Sequence, residues 1–511
     1  MFKQFIGKPF YYTLLGQILF SVVAAVGFYV GGTSVLLALI GLGVFVLSLW
    51  KLELGFAVVF AELFANSHGH LISSDIGGFS LSVRMVLFIA LMLAWLIRFI
   101  KKDDSIHWQD RRLIPFLILG FTAIYGLSIG AAQNEKLAAF QDGNAYFYLL
   151  YIFPMLSVQW TALKQRMLLQ VLAASTLWVV MISWGILFLY THFPEEVLVP
   201  IYKFYRDTRT GEVTRLDGGL YRVFMQSQFF VMVMVFLYST YFWVKGASKR
   251  DWKFPLLALS ATMTIVLVSM SRSFWVGMAA GVLVFVGLIA FFAKPTWKRI
   301  LSAVGFTALA KVVGVLMLAI VVFLPLPGGL GFPNLFGLAS RTSLSDEAVS
   351  SRWKLLDPMA HAVKENPILG YGFGEEIEFI TDDPRICEID PECRQRTYAL
   401  EWGWLEIWMK MGIFGVAAFL FVFVSVVKQL WPLLGTKKSW LGVAFISSIV
   451  MLFSAHVFSP FLNHPIGLGF LIFLMAFVPP ATMKFEGVNV RERLQVKQPR
   501  PEMVTLNRET D

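Results

Sequence analysis

The chain has 511 residues, 57% of them hydrophobic and only 15% charged, with a formal net charge of +10 and a mean hydropathy of +0.68. A set of water-soluble domains of this length would carry about a quarter charged residues, so that class is excluded. The basic balance is no nucleic-acid signal either, because the Lys and Arg residues fall in alternate loops between apolar runs.

Those runs are about 17 to 25 residues long, enough to cross a hydrocarbon core as helix, where each segment must satisfy its own backbone polar groups. The sequence therefore predicts an all-α polytopic membrane protein with about 14 transmembrane helices (12–14). They fall near 13–31, 34–50, 52–66, 82–100, 113–131, 143–162, 167–191, 224–244, 254–271, 273–293, 300–324, 403–427, 440–459 and 465–483. The first run, from Thr13 to Val30, has no small-residue cleavage site and reads as a retained span. The run 52–66 is short and contains Glu53 and Glu62. One set of alternate loops receives Lys51, Lys101, Arg112, Lys164, Lys249 and Lys438 among others, and in the short loops of the other set Lys136 is the exception. Lys and Arg are retained in the cytoplasm, so both termini are expected inside, in the plasma (inner) membrane.

Residues 1–324 then hold helices 1–11, with a basic external loop at about 192–222 that carries Lys203, Arg206, Arg209, Arg215 and Arg222. Residues 325–402 form one large external loop, 403–483 hold helices 12–14, and the charged tail 484–511 reads as cytoplasmic and disordered. Inside the large loop a short helix is expected at about 345–366, with Val349, Trp353, Leu356, Ala360 and Val363 at three- to four-residue spacing. Ser343 with Asp346 would cap it, Pro358 would kink it and Asn366-Pro367 would stop it. Gly370, Gly372 and Gly374 then make a tight turn whose backbone can approach a ligand. Cys387 and Cys393 are the two cysteines, both in this loop. External space permits a disulfide between them, two free thiols being the alternative, and zinc is disfavoured because no further Cys or His lies at ligand spacing.

Three arginines stand at external junctions: Arg222 before the 224–244 run and followed by Gln226 and Gln228, Arg272 between two adjacent runs, and Arg352 in the large loop. An arginine at a membrane edge can snorkel to headgroups. Gathered on one side, three form an anion clamp, because a guanidinium binds phosphate bidentately and keeps its charge. The anion at hand at an outer leaflet is a lipid diphosphate, whose departure develops negative charge that fixed guanidiniums stabilise. A base must take the proton of an attacking sugar hydroxyl, and Glu401, at the external start of the 403–427 run, is the best-placed carboxylate. Its alternative role is a solvated carboxylate at a helix N-terminus.

Ser271-Arg272 before an apolar span, Ser351-Arg352-Trp353, Asn366-Pro367-Ile368-Leu369-Gly370-Tyr371-Gly372-Phe373-Gly374 and the run Leu405 to Gly415 with Gly412 resemble the O-antigen ligase/polymerase family, between about 219 and 415. The resemblance implies a GT-C-like glycosyltransferase with a long periplasmic loop that uses undecaprenyl-diphosphate-linked glycans and needs no metal or other cofactor. Arg272 and Arg352 would bind the diphosphate, with Arg222 the third. The chain departs from the family where ligases carry a His-Asn pair before the last motif. Here Glu401-Trp402 stands instead, so Glu401 would serve as base or the base lies elsewhere. The departure shifts the reading toward a repeat-unit polymerase or a related surface-glycan transferase.

The function expected is transfer, with inversion, of a polyprenyl-diphosphate-linked oligosaccharide donor onto a glycan acceptor at the outer leaflet, in cell-surface polysaccharide biosynthesis. Its partners would be those two substrates, the bilayer, a chain-length regulator and a flippase, with no nucleic acid. The rival readings are a secondary transporter of an anion such as bicarbonate, and a scaffold subunit of a glycan complex. His68-Gly69-His70 with Asp75 is a weak metal or acid signal in an early external loop. His361 reads as packed or hydrated, His456, Asn463 and His464 as interfacial, and Asp382-Asp383 lacks the context of a nucleotide-sugar metal motif.

Overall fold

The computed structural model describes residues 2–76, 79–106, 108–216, 221–245, 252–293, 295–324, 347–382 and 384–479. The capping pair Ser343 and Asp346, Asp383, Lys249 and the tail 484–511 lie outside them. Among the described residues, eight helices are long and apolar enough to cross a membrane and four shorter apolar ones accompany them. The chain is thus an all-α, multi-pass membrane protein; the expected number of about fourteen spans is finer than this.

In chain order the helices are α1 (Lys8–Val30), α2 (Thr33–Trp50), α3 (Leu52–Ala65), α4 (Val83–Ile100), α5 (Ile114–Gln133), α6 (Lys136–Gly143), α7 (Ala162–His192), α8 (Glu195–Asp207) and α9 (Gln228–Lys245). There follow α10 (Lys253–Ser269), α11 (Arg272–Leu288), α12 (Trp297–Phe323), α13 (Glu347–Glu365), α14 (Gly403–Leu430), α15 (Ser439–Ala455) and α16 (Pro465–Leu474). The expected span at 143–162 is not one α-helix. It runs as a 3-10 helix, Asn144–Tyr151, and a short α-helix, Ile152–Ser157. At about 2.0 and 1.5 Å rise per residue the two cover roughly 25 Å with fewer residues than an α-helix needs. Such a departure is tolerated at membrane depth where protein surrounds the segment, and Tyr146, Tyr148, Leu149 and Tyr151 are all buried.

Contacts sort the loops to two ends. At one, Lys164 pairs with Glu53 at 3.0 Å, Lys438 donates to Gln165 and Arg112 to the Val478 carbonyl. At the other, Ser67 donates to the Thr210 carbonyl, Tyr146 to Asn463 and Lys410 to Asp142. This second, loop-bearing end also carries three antiparallel hairpins: β1 (Ser73–Ile76) with β2 (Phe79–Ser82), β3 (Glu212–Arg215) with β4 (Tyr221–Phe224), and β5 (Ile377–Ile380) with β6 (Arg394–Thr397).

Two packing features hold the loop-bearing end in place. First, α11 lies against α15 through Gly277 and Gly281, where an added Cβ would fall 2.7 Å from the Met451 carbonyl oxygen and 3.0 Å from that of Ser447. This small-xxx-small seam fixes the depth of Arg272 at the start of α11. Second, the large loop has a core of its own, in which Leu355, Met359 and Val363 of α13 meet Ile377, Phe379, Leu400 and Met409. That stripe corrects the expected face of the loop helix. Leu356 and Ala360 are only half-buried and Trp353 is half exposed, because Trp353 turns its ring onto Trp402 at 5.3 Å. Pro358 is carried inside α13. Cys387 and Cys393 are joined as a disulfide, with Cα atoms 4.3 Å apart, in the connection between β5 and β6.

Candidate functional site

A two-residue corner at the loop-bearing end joins α10 to α11 through Met270 and Ser271 alone. Met270 takes a left-handed conformation, φ 43° and ψ 34°, which a residue with a Cβ seldom adopts. Such strain persists where the surroundings over-determine it. Here Trp275 straps the corner by donating its indole N–H to the Val266 carbonyl, 3.2 Å. The corner makes Arg272 the first residue of α11, whose first-turn amides have no intrahelical acceptor. The Ser271 side chain does not cap them and meets Ser273 Oγ instead, 2.9 Å.

Arg222 arrives from β4. Its Nε donates to the Ser269 carbonyl at 2.9 Å, three residues before Arg272. The guanidinium lies 4.8 Å over the Phe224 ring and 3.9 Å from Glu212. Phe224 leans on Phe274, and Phe274 stacks on Phe461 from the loop between α15 and α16. Two of the three sequence-selected arginines are therefore brought to one corner, half-buried, beside a helix N-terminus. Gln228 is structural: its side chain accepts from Met225 N and donates to Ser183 and the Val223 carbonyl.

Arg352 and Glu401 are brought together as well, as partners of each other. The Arg352 guanidinium grips the Glu401 carboxylate from Nε and Nη2, and the Trp402 indole donates to the Arg352 carbonyl, 2.8 Å. Both side chains are about two-fifths exposed, 42% and 46%. The residue expected to clamp phosphate and the residue expected to act as base hold each other until something displaces one of them.

The glycine turn departs from its expected use. Gly370, Gly372 and Gly374 all have positive φ, 72°, 81° and 82°, but their close approach is to the protein's own backbone. The helix α14 breaks at Gly412 (φ 61°, ψ −165°). The break frees the Met409 and Lys410 carbonyls, which accept from Tyr371 N (2.8 Å) and Gly372 N (3.1 Å), while Ile413 N turns to the Pro367 carbonyl, 3.1 Å. On its other side the turn meets α5 and α6: Phe373 N donates to Gly126 O, Asn134 to the Phe373 carbonyl, and Gly374 N to Asp142 Oδ2. The turn is thus a plug whose N–H groups meet the carbonyls left open by a broken helix, so that the irregular backbone is satisfied within the protein.

Behind the plug lies a cluster that sequence reading missed. Lys410 Nζ donates to Asp142 Oδ1 and Glu406 Oε1, both at 2.6 Å, and to the Tyr398 carbonyl at 2.8 Å. All three side chains are buried. The signal was present, since Glu406 and Lys410 stand one helical turn apart in an otherwise apolar run.

A second missed cluster surrounds the end of α3. Arg84 donates to both Glu62 oxygens at 3.0 and 3.1 Å and to the carbonyls of Asn66 and Ser67. Above this buried pair, His68 sits edge-on to His464, 5.0 Å between rings. Burial first, then the charges of Arg84 and Arg209, push His68 down to about 3 and His70 to about 4; burial first, then His68, Arg84 and His70, push His464 well below its ordinary range. Asp75 faces His70 by charge and is exposed. His361 is exposed on α13 and pairs with Glu365, and Lys354 takes Asp382 at 2.5 Å. Among the described residues no group of three His, Cys, Asp or Glu side chains is arranged to hold a metal ion.

The model of the O-antigen ligase family matches residues 255–420, from α10 into α14. That stretch includes the α10–α11 corner, Arg352, the glycine plug, Glu401 and Lys410, and leaves out Arg222, His68, His70 and His464. Over this stretch the chain resembles the O-antigen ligase/polymerase family, in agreement with the motifs read from the sequence. No curated protein and no solved structure matched the chain. Fold and match together define a multi-pass helical membrane protein of O-antigen ligase/polymerase-like type.

Proposed function

We propose that this protein is a glycosyltransferase of the outer leaflet of the plasma membrane, with the loop-bearing end external and both termini cytoplasmic. It takes a glycan from a polyprenyl-diphosphate carrier and joins it to a hydroxyl of an acceptor glycan, with inversion at the anomeric carbon. The departure from the ligase pattern at Glu401-Trp402 favours repeat-unit polymerisation over ligation to a core oligosaccharide.

The observation that carries this reading is the docking of Arg222 on the Ser269 carbonyl beside Arg272 at the start of α11. On this reading the two guanidiniums and the helix N-terminus would converge on a lipid diphosphate at the membrane surface. Their positive charge is fixed before the reaction begins, so it stabilises the leaving diphosphate without reorganisation and in the place a metal ion would take. Arg352 completes the clamp from the large loop. Its exposed pairing with Glu401 is worth about 0–1 kcal/mol, as such pairs are, so a phosphate can replace the carboxylate at little cost. The glycan would lie beneath α13 and the disulfide-bearing hairpin, its carrier's tail entering between helices from the bilayer. A chain-length regulator and a flippase would act with it.

The test is purified protein in nanodiscs with a polyprenyl-diphosphate oligosaccharide, scored for longer lipid-linked products. Elongation by the wild type, and its loss of at least about 100-fold in Arg272→Lys and Arg222→Ala with normal insertion, supports the reading. Intact elongation by both variants refutes the clamp. Transfer of the glycan to a lipid core instead corrects the acceptor.

A further inference from the structure

The clamp accounts for the leaving group and leaves the attacking hydroxyl's proton without a recipient, because the Glu401 carboxylate is held by Arg352. A second set of groups lies close by. The 3-10 turn Phe461–Asn463 packs Phe461 on Phe274, two residues past Arg272. It holds Asn463 against the Tyr146 hydroxyl at 3.1 Å and ends by turning His464 onto His68. One short turn therefore spans from the arginine corner to the histidines. Ser67 ties the same region to the basic loop, donating to the Thr210 carbonyl at 2.7 Å, next to Arg209. Arg209 itself is exposed and held at φ 49°.

The way these groups are layered suggests a binding surface. Glu62, Asn66, Ser67 and Arg84 are buried, whereas His68, His70, Asn463 and His464 in front of them each keep part of their surface accessible. A polar wall that solvent reaches, backed by a satisfied ion pair, suits a hydroxyl-rich ligand. The Nδ1 atom of His464 is closed to solvent and meets no hydrogen-bond partner within the protein, so the accessible part of the residue lies elsewhere and the ring keeps an unused polar atom at the back of the wall.

We propose that this wall receives the acceptor glycan, and that His464, positioned by His68, takes the proton of its attacking hydroxyl. The inference rests on the glycosyltransferase reading and deepens it. As the hydroxyl oxygen bonds to the anomeric carbon, its proton passes to the imidazole. The bond from that carbon to the phosphate oxygen breaks, and the diphosphate leaves with the electron pair. The imidazolium then gives its proton to water. Burial, with Arg84 acting on all three rings and Arg209 on His68 and His70, keeps the imidazoles neutral in the resting protein, so a proton acceptor is always at hand. The negative diphosphate offsets those arginines, so an imidazolium becomes tolerable when the donor is in place, which restricts proton transfer to the loaded enzyme. Of the other charged or titratable groups nearby, Asp75 faces His70, whereas Glu62 and Tyr148 face Arg84.

The experiment compares wild type, His464→Ala, His68→Ala and Glu401→Gln in nanodiscs, with kcat and KM for donor and acceptor and with free imidazole added. His464→Ala is expected to lose about 100- to 1000-fold in kcat, to keep donor KM within about threefold, and to recover in part with imidazole. His68→Ala is expected to lose less. Retained kcat in His464→Ala overturns the proposal, as does a loss that imidazole does not relieve. A loss confined to Glu401→Gln, or activity abolished by chelation and restored by zinc, overturns it too. A wild type that does not elongate the lipid-linked glycan sinks the parent reading; a wild type that elongates while His464→Ala keeps pace sinks this inference alone.

Discussion

Replacing Lys410 by Met tests the buried cluster behind the plug. The Lys410 ammonium has three N–H donors and all three are used, on Asp142, Glu406 and the Tyr398 carbonyl. The cluster therefore holds one cation and two carboxylates, all nearly dry: the side-chain exposures are 2%, 9% and 6%. Methionine matches the volume of lysine, so little packing is lost, but two carboxylates are left facing each other without a counter-charge. Removing one partner of a buried ion pair costs about 3–5 kcal/mol, mostly the penalty of the stranded charge and not the lost attraction. The distinction is measurable. Adding Asp142→Asn and Glu406→Gln to Lys410→Met removes the stranded charges, and the amide oxygen introduced by Asp142→Asn can still accept from Gly374 N, which now uses Asp142 Oδ2. The triple variant is expected to be more stable than Lys410→Met by about 2 kcal/mol or more, although it has two further substitutions. Equilibrium unfolding in detergent, followed by tryptophan fluorescence, gives both values. A cost below about 1 kcal/mol for Lys410→Met, or a triple variant less stable than the single one, would refute the reasoning.

Gly372→Ala should destabilise by about 2–4 kcal/mol, since the new Cβ meets the Gly130 backbone at left-handed φ. Gly185→Ala, which meets open space within α7, should be neutral or slightly stabilising; equal effects in thermal unfolding would sink the plug. Arg352→Ala should change stability by less than about 1 kcal/mol, because its pair with Glu401 is exposed, while glycan elongation falls; a large stability loss with full activity would reverse the assignment. His68 and His70 have folded values depressed to about 3 and about 4, so the unfolded chain binds more protons from about pH 6.5 downward. Their stabilisation is complete above about pH 6.5 and is lost as pH falls toward those values. Melting temperature should drop from about pH 7 to about pH 5, less so in His68→Asn/His70→Asn, and an unchanged slope in that variant would contradict the shift.

The large loop shows where sequence reasoning worked and where it stopped. The helix expected at 345–366 is there as Glu347–Glu365, because an apolar repeat bounded by Asn366-Pro367 is a local property. Which of its faces turns inward is not local. Val363 turns inward as expected, but Leu355 and Met359 replace Trp353, Leu356 and Ala360 beside it, because Phe379, Leu400 and Met409, which they meet, lie 20 or more residues further along the chain. The three glycines announced a left-handed turn, and all three have positive φ. That the turn plugs a break in α14 depends on a helix some forty residues later in the chain.

The same division holds for the whole protein. Apolar run length and the alternation of Lys and Arg were enough to determine a helical, multi-pass chain, because lipid demands internally satisfied segments whatever packs beside them. Four motifs in order were enough to indicate the family. Tertiary structure alone decided that Arg352 and Glu401 face each other, that Arg222 docks beside Arg272, that Lys410 serves two carboxylates, and that His68 meets His464. Charges and rings act over a few ångströms, and residues tens to hundreds of positions apart come that close only after the helices have packed.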